Sequence, residues 1–223
     1  MQFDIITIFP EIFEPYLNKS LIKLAQEKGL MKIRAHDLRD FTEDPHQIVD
    51  DKPFGGGRGM VLKIEPIFKA VQFLKIKNTS KKSKIILFSP RGKKFNQKMA
   101  FGFSKLDQLI FICGRYEGVD ERVADFIADE TISIGDYVLM GGEIAALAVI
   151  ESVARLIPGV IGKSELLKER ISEKKGFLTC SQYTRPEVFS PEKGIEWKVP
   201  EVLLSGHHKK IEKWRKKHSK IIE

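Results

Sequence analysis

Between Cys113 and Glu143 the chain reads CGRYEGVDERVADFIADETISIGDYVLMGGE, and no other segment restricts the fold as much. Two short apolar runs, Leu109–Ile112 and Thr131–Ile134, each open into a glycine-bearing loop. The first is Cys113-Gly114-Arg115-Tyr116-Glu117-Gly118; the second runs from Ile134-Gly135-Asp136-Tyr137 through Val138-Leu139-Met140 to Gly141-Gly142. One short amphipathic segment separates them. Strands that alternate with helices build a mostly parallel sheet. Ligands of such sheets bind at the carboxyl ends of the strands. Glycines there let the backbone approach a ligand without a Cβ in the way, so the segment predicts a cleft that grips a small molecule through main-chain groups. The spacing is not Gly-x-Gly-x-x-Gly, and no acidic ribose ligand follows a strand, which argues against a nicotinamide-dependent enzyme.

The rest of the chain fits this frame. Phe3–Phe9 reads as a first buried strand ended by Pro10, and Glu11–Lys28 as a helix stopped at Gly29. Met31–His36 reads as a second strand, Lys63–Leu74 as a helix, and Asn78–Ser83 as a polar turn. Lys84–Ser89 is apolar on both faces, as strands of a parallel sheet are, and runs into Pro90-Arg91-Gly92. Asn96–Leu106 and the strongly apolar Glu143–Ile157 complete the helices. Asp40–Met60 is a long loop rich in turn formers, a length that is often functional. From Gly162 the composition turns charged, and residues 163–182 read as a flexible linker. Residues 209–223 hold seven Lys or Arg against two Glu.

The 223 residues carry 38 Lys and Arg against 30 acidic residues, a net charge of +8 that favours a polyanionic partner. Two cysteines, Cys113 and Cys180, are too few for a disulfide framework and fit a reducing, cytoplasmic setting. There is no run of about 18 apolar residues to span a membrane, and Met1–Phe13 has no basic region of the kind that opens a signal peptide.

Eight strings occur in a fixed order: Val49-Asp50-Asp51-Lys52-Pro53-Phe54 with Gly55–Gly57, Leu87-Phe88-Ser89-Pro90-Arg91-Gly92, the Cys113 loop, Ser133–Leu139, Gly141-Gly142-Glu143, Pro158-Gly159-Val160, Tyr183-Thr184-Arg185-Pro186, and Leu203-Leu204-Ser205-Gly206-His207-His208. In this order, over nearly the whole chain, they resemble the bacterial tRNA (guanine-37-N1)-methyltransferases of the TrmD type. The resemblance implies an α/β fold of the SPOUT class with a deep trefoil knot, and a homodimer with active sites at the subunit interface. It implies a knotted cofactor-binding domain over residues 1–162 and, over 183–223, a small helical tRNA-binding domain, here abbreviated. The cofactor implied is S-adenosylmethionine. The partner implied is tRNA with guanine after the anticodon.

Residue by residue, the resemblance assigns cofactor contacts to Ser89, Pro90, Gly92, Gly114, Tyr116, Glu117, Ile134, Gly135, Asp136, Tyr137, Val138, Leu139, Gly141 and Gly142. It assigns the active-site arginine to Arg155, for which an ion pair with Glu151 one helical turn earlier is the local alternative. Guanine N1 carries a proton, so methylation needs a general base. The position of the family's aspartate is Ile171 here, and no aspartate occurs from Lys163 to Tyr183. Glu169 and Glu173 are the nearby carboxylates that could take its place; the alternative is an RNA- and cofactor-binding homologue without catalysis. His46, Asp50, Arg58, Arg185, His207, His208, Lys209 and Arg215 are the RNA-binding candidates. Asp50 and Asp51 also leave a Mg2+ requirement open, although the residues define no metal site. Arg58 and Ala145 stand where the family usually has proline.

Overall fold

The computed structural model describes residues 1–77, 82–162, 171–172 and 176–222. The chain divides into two compact units, Met1–Ser164 and Glu165–Glu223.

In the first unit, β1 (Gln2–Thr7), β2 (Lys32–Asp37), β5 (Ser83–Lys94), β6 (Gln108–Ile112) and β7 (Glu130–Ser133) form a parallel sheet in the order β2-β1-β6-β5-β7. A two-stranded ladder of β3 (Asp50–Asp51) and β4 (Val61–Leu62) stands apart from it. Because side chains alternate across a strand, each strand feeds two cores. Phe3, Ile5, Ile86, Phe88, Leu109, Phe111 and Ile132 pack on one face with α2 (Ser20–Glu27), α4 (Gln97–Phe103) and α6 (Glu143–Ala154). Ile6, Ile8, Ile85, Leu87, Ile110 and Ile112 pack on the other with α3 (Ile64–Lys77) and α5 (Arg122–Phe126). Helix α3 offers Ile67, Ala70, Val71 and Leu74, the i, i+3, i+4, i+7 stripe of a helix with one buried side.

Three elements depart from the sequence reading. The helix expected over Glu11–Lys28 is broken into a 3-10 turn at Pro10–Ile12, α1 (Glu14–Leu17) and α2, with extended Lys19 as the N-cap of α2. Its end is as expected: Gly29 adopts φ +69°, and Leu30 N donates to Ala25 O at 3.0 Å. The long loop over Asp40–Met60 is closed at its base by the β3–β4 ladder. Finally, β5 does not end at Ser89. It bulges between Phe88 and Lys93, both of which pair with Ile132, and then resumes. Pro90 has no N–H to donate to a ladder, and a Cβ on Gly92 would sit 2.5 Å from Ile132 N and 2.7 Å from its Cα. Only glycine lets the returning strand lie this close.

The second unit mixes helices and strands. β8 (Ile171–Ser172), β9 (Gly176–Cys180) and β12 (Ser219–Ile222) form an antiparallel sheet in the order β12-β9-β8, and β10 (Val188–Phe189) pairs with β11 (Trp197–Lys198). The helices are α7 (Glu201–Leu204) and α8 (His208–Lys217). The resemblance implied a small helical domain over residues 183–223; the two short helices found there are accompanied by strands, which form by pairing with other segments and not from local periodicity. On α8, Ile211 and Trp214 are half-buried while the Lys and Arg residues are exposed. The Trp214 ring stacks on His218 at 4.2 Å and meets Tyr183 edge-on at 6.2 Å.

Candidate active site: a cleft at the ends of β5, β6 and β7

Strands β6, β5 and β7 are neighbours, so the three segments that follow them come together at one edge of the sheet. They enclose a cleft of about 530 Å³, within the range of small-molecule sites. Ser89, Pro90, Gly114, Tyr116, Glu117, Ile134, Tyr137, Val138, Leu139, Gly141 and Gly142 line it. Of the other residues assigned to the cofactor, Gly92 lies under Ile132, as described. Gly135 makes room for a ring: the Tyr137 side chain occupies the place its Cβ would take, and Tyr137 Oη donates to Ile134 O at 3.3 Å. Asp136 points out to an ion pair with Lys94. These three support the cleft from behind or outside its lining.

The loops are held by main-chain contacts. Gly142 N donates to Gly114 O at 3.0 Å, and a Cβ on Gly142 would meet Cys113 Cα at 2.7 Å. Arg115 forms isolated bridges with both Gly118 and Gly141. Tyr116 takes a left-handed φ of +59° and stays exposed; non-glycine residues held this way concentrate at ligand sites. Glu117 N donates to Met60 O at 3.1 Å, and the Glu117 side chain fills the space beside Gly59, which brings the Asp50–Met60 loop up to the cleft.

Sequence reasoning missed part of the lining. Leu87, Phe88, Thr131 and Ile132 belong to the strands themselves, and Arg91, Arg115, Glu121 and Met140 face the cleft as well. Arg91 and Glu121 form an ion pair across two of its loops. Burial and the neighbouring Glu143 carboxylate push the Cys113 thiol well up, against the pull of Arg115, which disfavours the thiolate.

The remaining candidates lie elsewhere. Arg155 caps the C-terminal end of α6, half-buried and outside the residues that line the cleft; twelve helical residues span about 18 Å. Glu169 and Glu173 lie outside the described residues. Among those described, Glu117 and Glu121 are the carboxylates that line the cleft. His46 and Arg58 are exposed on the loop that carries Asp50, itself half-buried in β3. Arg185, His207, His208, Lys209 and Arg215 are exposed in the second unit. Among the described residues no three His, Cys, Asp or Glu side chains gather as metal ligands, and no helix is long and apolar enough to cross a membrane.

Comparison with known proteins places this architecture. The chain is 54% identical over 219 residues to the tRNA (guanine-N(1)-)-methyltransferase of Carboxydothermus hydrogenoformans, covering 98% of this chain and 83% of that protein. It is 50% identical over 222 residues to the enzyme of the same name from Clostridium novyi, covering 100% and 88%. The crystal structure of the tRNA (m1G37) methyltransferase from Aquifex aeolicus superposes with a TM-score of 0.78 at 42% identity, over 98% of this chain and 88% of that one. The model of the tRNA (Guanine-1)-methyltransferase TrmD family matches residues 1–221, and the chain belongs to that family.

Proposed function

We propose that this protein transfers a methyl group from S-adenosylmethionine to N1 of the guanine at position 37, beside the tRNA anticodon. The observation that carries the reading is the glycine-walled cleft at the ends of β5, β6 and β7, in a chain that matches the methyltransferase family over residues 1–221. The cleft fits such a donor. Its volume of about 530 Å³ suits a molecule of that size, and Gly141 and Gly142, which line it, let its loops close against Arg115, Glu143 and Cys113 where a Cβ would clash. Ser89, Pro90, Gly114, Tyr116, Glu117 and the Ile134–Gly142 loop would hold it. When bound, it supplies a methyl group already activated on a sulfonium that is its own leaving group.

The chain's own residues then have two tasks. One is to align guanine N1 with the methyl carbon. The other is to remove the N1 proton and stabilise the charge that develops on O6. Arg155 is assigned to O6, and Glu169 or Glu173 to the proton; a glutamate has nearly the same pKa as the aspartate it replaces. A homodimer belongs to the same proposal. Arg155 lies away from the cleft of its own chain, while Val138 and Met140 leave apolar surface exposed at 81% and 88%, which supports an active site completed by a second copy. The trefoil knot and the cytoplasmic setting are likewise part of the reading. So is tRNA binding by His46, Asp50, Arg58, Arg185, His207, His208, Lys209 and Arg215. Mg2+ is a further addition to test in the same assay.

The test is titration calorimetry with S-adenosylmethionine beside methyl incorporation into a tRNA transcript. Micromolar binding is expected, with turnover on guanine 37 that disappears when adenine replaces it. Binding without turnover would instead indicate a homologue that has lost its base. Replacing Lys209, Lys210 and Arg215 with Gln should weaken tRNA binding and flatten the slope of log K against log salt, by about one for each phosphate no longer neutralised. A slope equal to that of the unaltered protein would remove α8 from the RNA interface.

A further inference from the structure

Glu143 opens α6, and its side chain is 1% exposed. No step of the proposed methyl transfer uses it. An ionised carboxylate is strongly disfavoured in the interior unless partners hold it, so its surroundings report what holds it. The N-terminus of α6 favours a negative charge there. Thr7, the last residue of β1, donates from Oγ1 to Glu143 Oε1 at 2.7 Å and accepts from Phe9 N at 3.0 Å. The other oxygen, Oε2, lies 3.0 Å from Arg115 Nε in an ion pair that lacks hydrogen-bond alignment. The Arg115 guanidinium also sits over the Phe9 ring, 4.8 Å from its centroid, a favourable place for a cation.

Arg115 connects this buried charge to the cleft. Its backbone bridges Gly118 on its own loop and Gly141 on the loop that follows β7. Its side chain and that of Glu143 occupy the space a Cβ on Gly141 would need. One arginine therefore ties two cleft loops through its main chain, while its guanidinium is held by Phe9, just past β1, and by Glu143 at the start of α6. An apolar residue at position 143 would fill the volume, often without loss of stability, but would leave the guanidinium with nothing to pin it.

We propose that Glu143 is a positioning residue for methyl-donor binding, acting through Arg115 to set the separation of the Gly114–Gly118 and Gly141–Gly142 segments. The inference rests on the methyl-donor reading of the cleft. Glu143→Gln keeps the shape and the acceptor for Thr7 but removes the charge. The dissociation constant for S-adenosylmethionine, measured by calorimetry without RNA, is expected to rise about tenfold. KM for the donor should rise in step, kcat at saturating donor should stay within about twofold, and KM for tRNA should not change. Arg115→Lys keeps the charge but loses the flat contact with Phe9, and should raise the same two donor constants; the double variant should fall short of the product of the single effects, because the pair acts as one unit. A folded Glu143→Gln protein whose donor affinity stays within twofold of the unaltered protein overturns the proposal. If Glu143→Gln does not fold, unchanged donor affinity in Arg115→Lys overturns it equally. Failure of the unaltered protein to bind the donor is a different result, and refutes the methyl-donor reading itself.

Discussion

Gly142→Ala is expected to weaken S-adenosylmethionine binding by at least tenfold and to destabilise the fold by about 1–3 kcal/mol. Gly142 has an ordinary φ of −82°, so the cause is space and not backbone strain. The new methyl group would meet Cys113 Cα at 2.7 Å and Gly114 N at 3.3 Å, which are main-chain atoms of a β6 end buried in the sheet. They cannot turn aside as a flexible side chain does. The loop after β7 must lift, and its hydrogen bond from Gly142 N to Gly114 O lengthens or breaks. That bond joins two walls of the cleft, so stability and ligand affinity should fall together. Gly102→Ala in α4 is the control: nothing lies within 4 Å of the added carbon, and a helical alanine should raise stability by about 0.5–1 kcal/mol. Calorimetry and urea denaturation of the two variants read both quantities. Donor affinity within twofold of the unaltered protein in Gly142→Ala would show that the two loops move independently.

Asp4→Asn is expected to cost about 2–4 kcal/mol at neutral pH, although it removes no volume. Asp4 is fully buried in β1. Its Oδ2 accepts from Gln2 Nε2 and Gln108 Nε2, both at 2.7 Å, and its Oδ1 meets His36 Nε2 at 2.9 Å. A carboxylate can accept from every one of these groups. An amide turns an NH2 toward at least one donor and leaves buried groups without partners. Burial pushes the Asp4 carboxyl up, but the hydrogen bonds from His36, Gln108 and Gln2, with the charge of His36, outweigh it and hold the group below the ordinary aspartate range. The folded pKa is therefore lower than the unfolded value of about 3.9. The stability from this group is complete above that value and is lost as pH falls through the folded pKa. Urea midpoints measured from pH 6 down to pH 2 should fall more steeply for the unaltered protein than for Asp4→Asn. Parallel curves would show that the carboxylate is not ionised in the fold.

Some of this was legible before any coordinates. The double-sided apolar pattern of Ile85–Phe88 and Leu109–Ile112 marks buried parallel strands, and the glycines after them mark the loops that line the cleft. The stop of α2 at Gly29 follows from one residue's freedom to take a left-handed φ. Other features were hidden for physical reasons. A short apolar run such as Ile221–Ile222 becomes a strand only when the distant Phe177–Leu178 pairs with it. The need for glycine at position 135 shows only once the Tyr137 ring is seen where its Cβ would stand. Arg155 ends α6, and no local pattern says which end of that helix meets the cleft.

Amino-acid order alone determined the alternation of strands and helices and the glycine loops that follow the strands, because these depend on side-chain periodicity and on φ preferences within a few residues. Tertiary structure alone decided that β5 lies between β6 and β7, which brings together segments as far apart as Ser89 and Gly142. It also decided that Thr7, Arg115 and Glu143 share one buried site. Strand pairing and the partnering of buried charges are set by packing between remote parts of the chain, and the energy of such contacts leaves no periodic mark on the sequence.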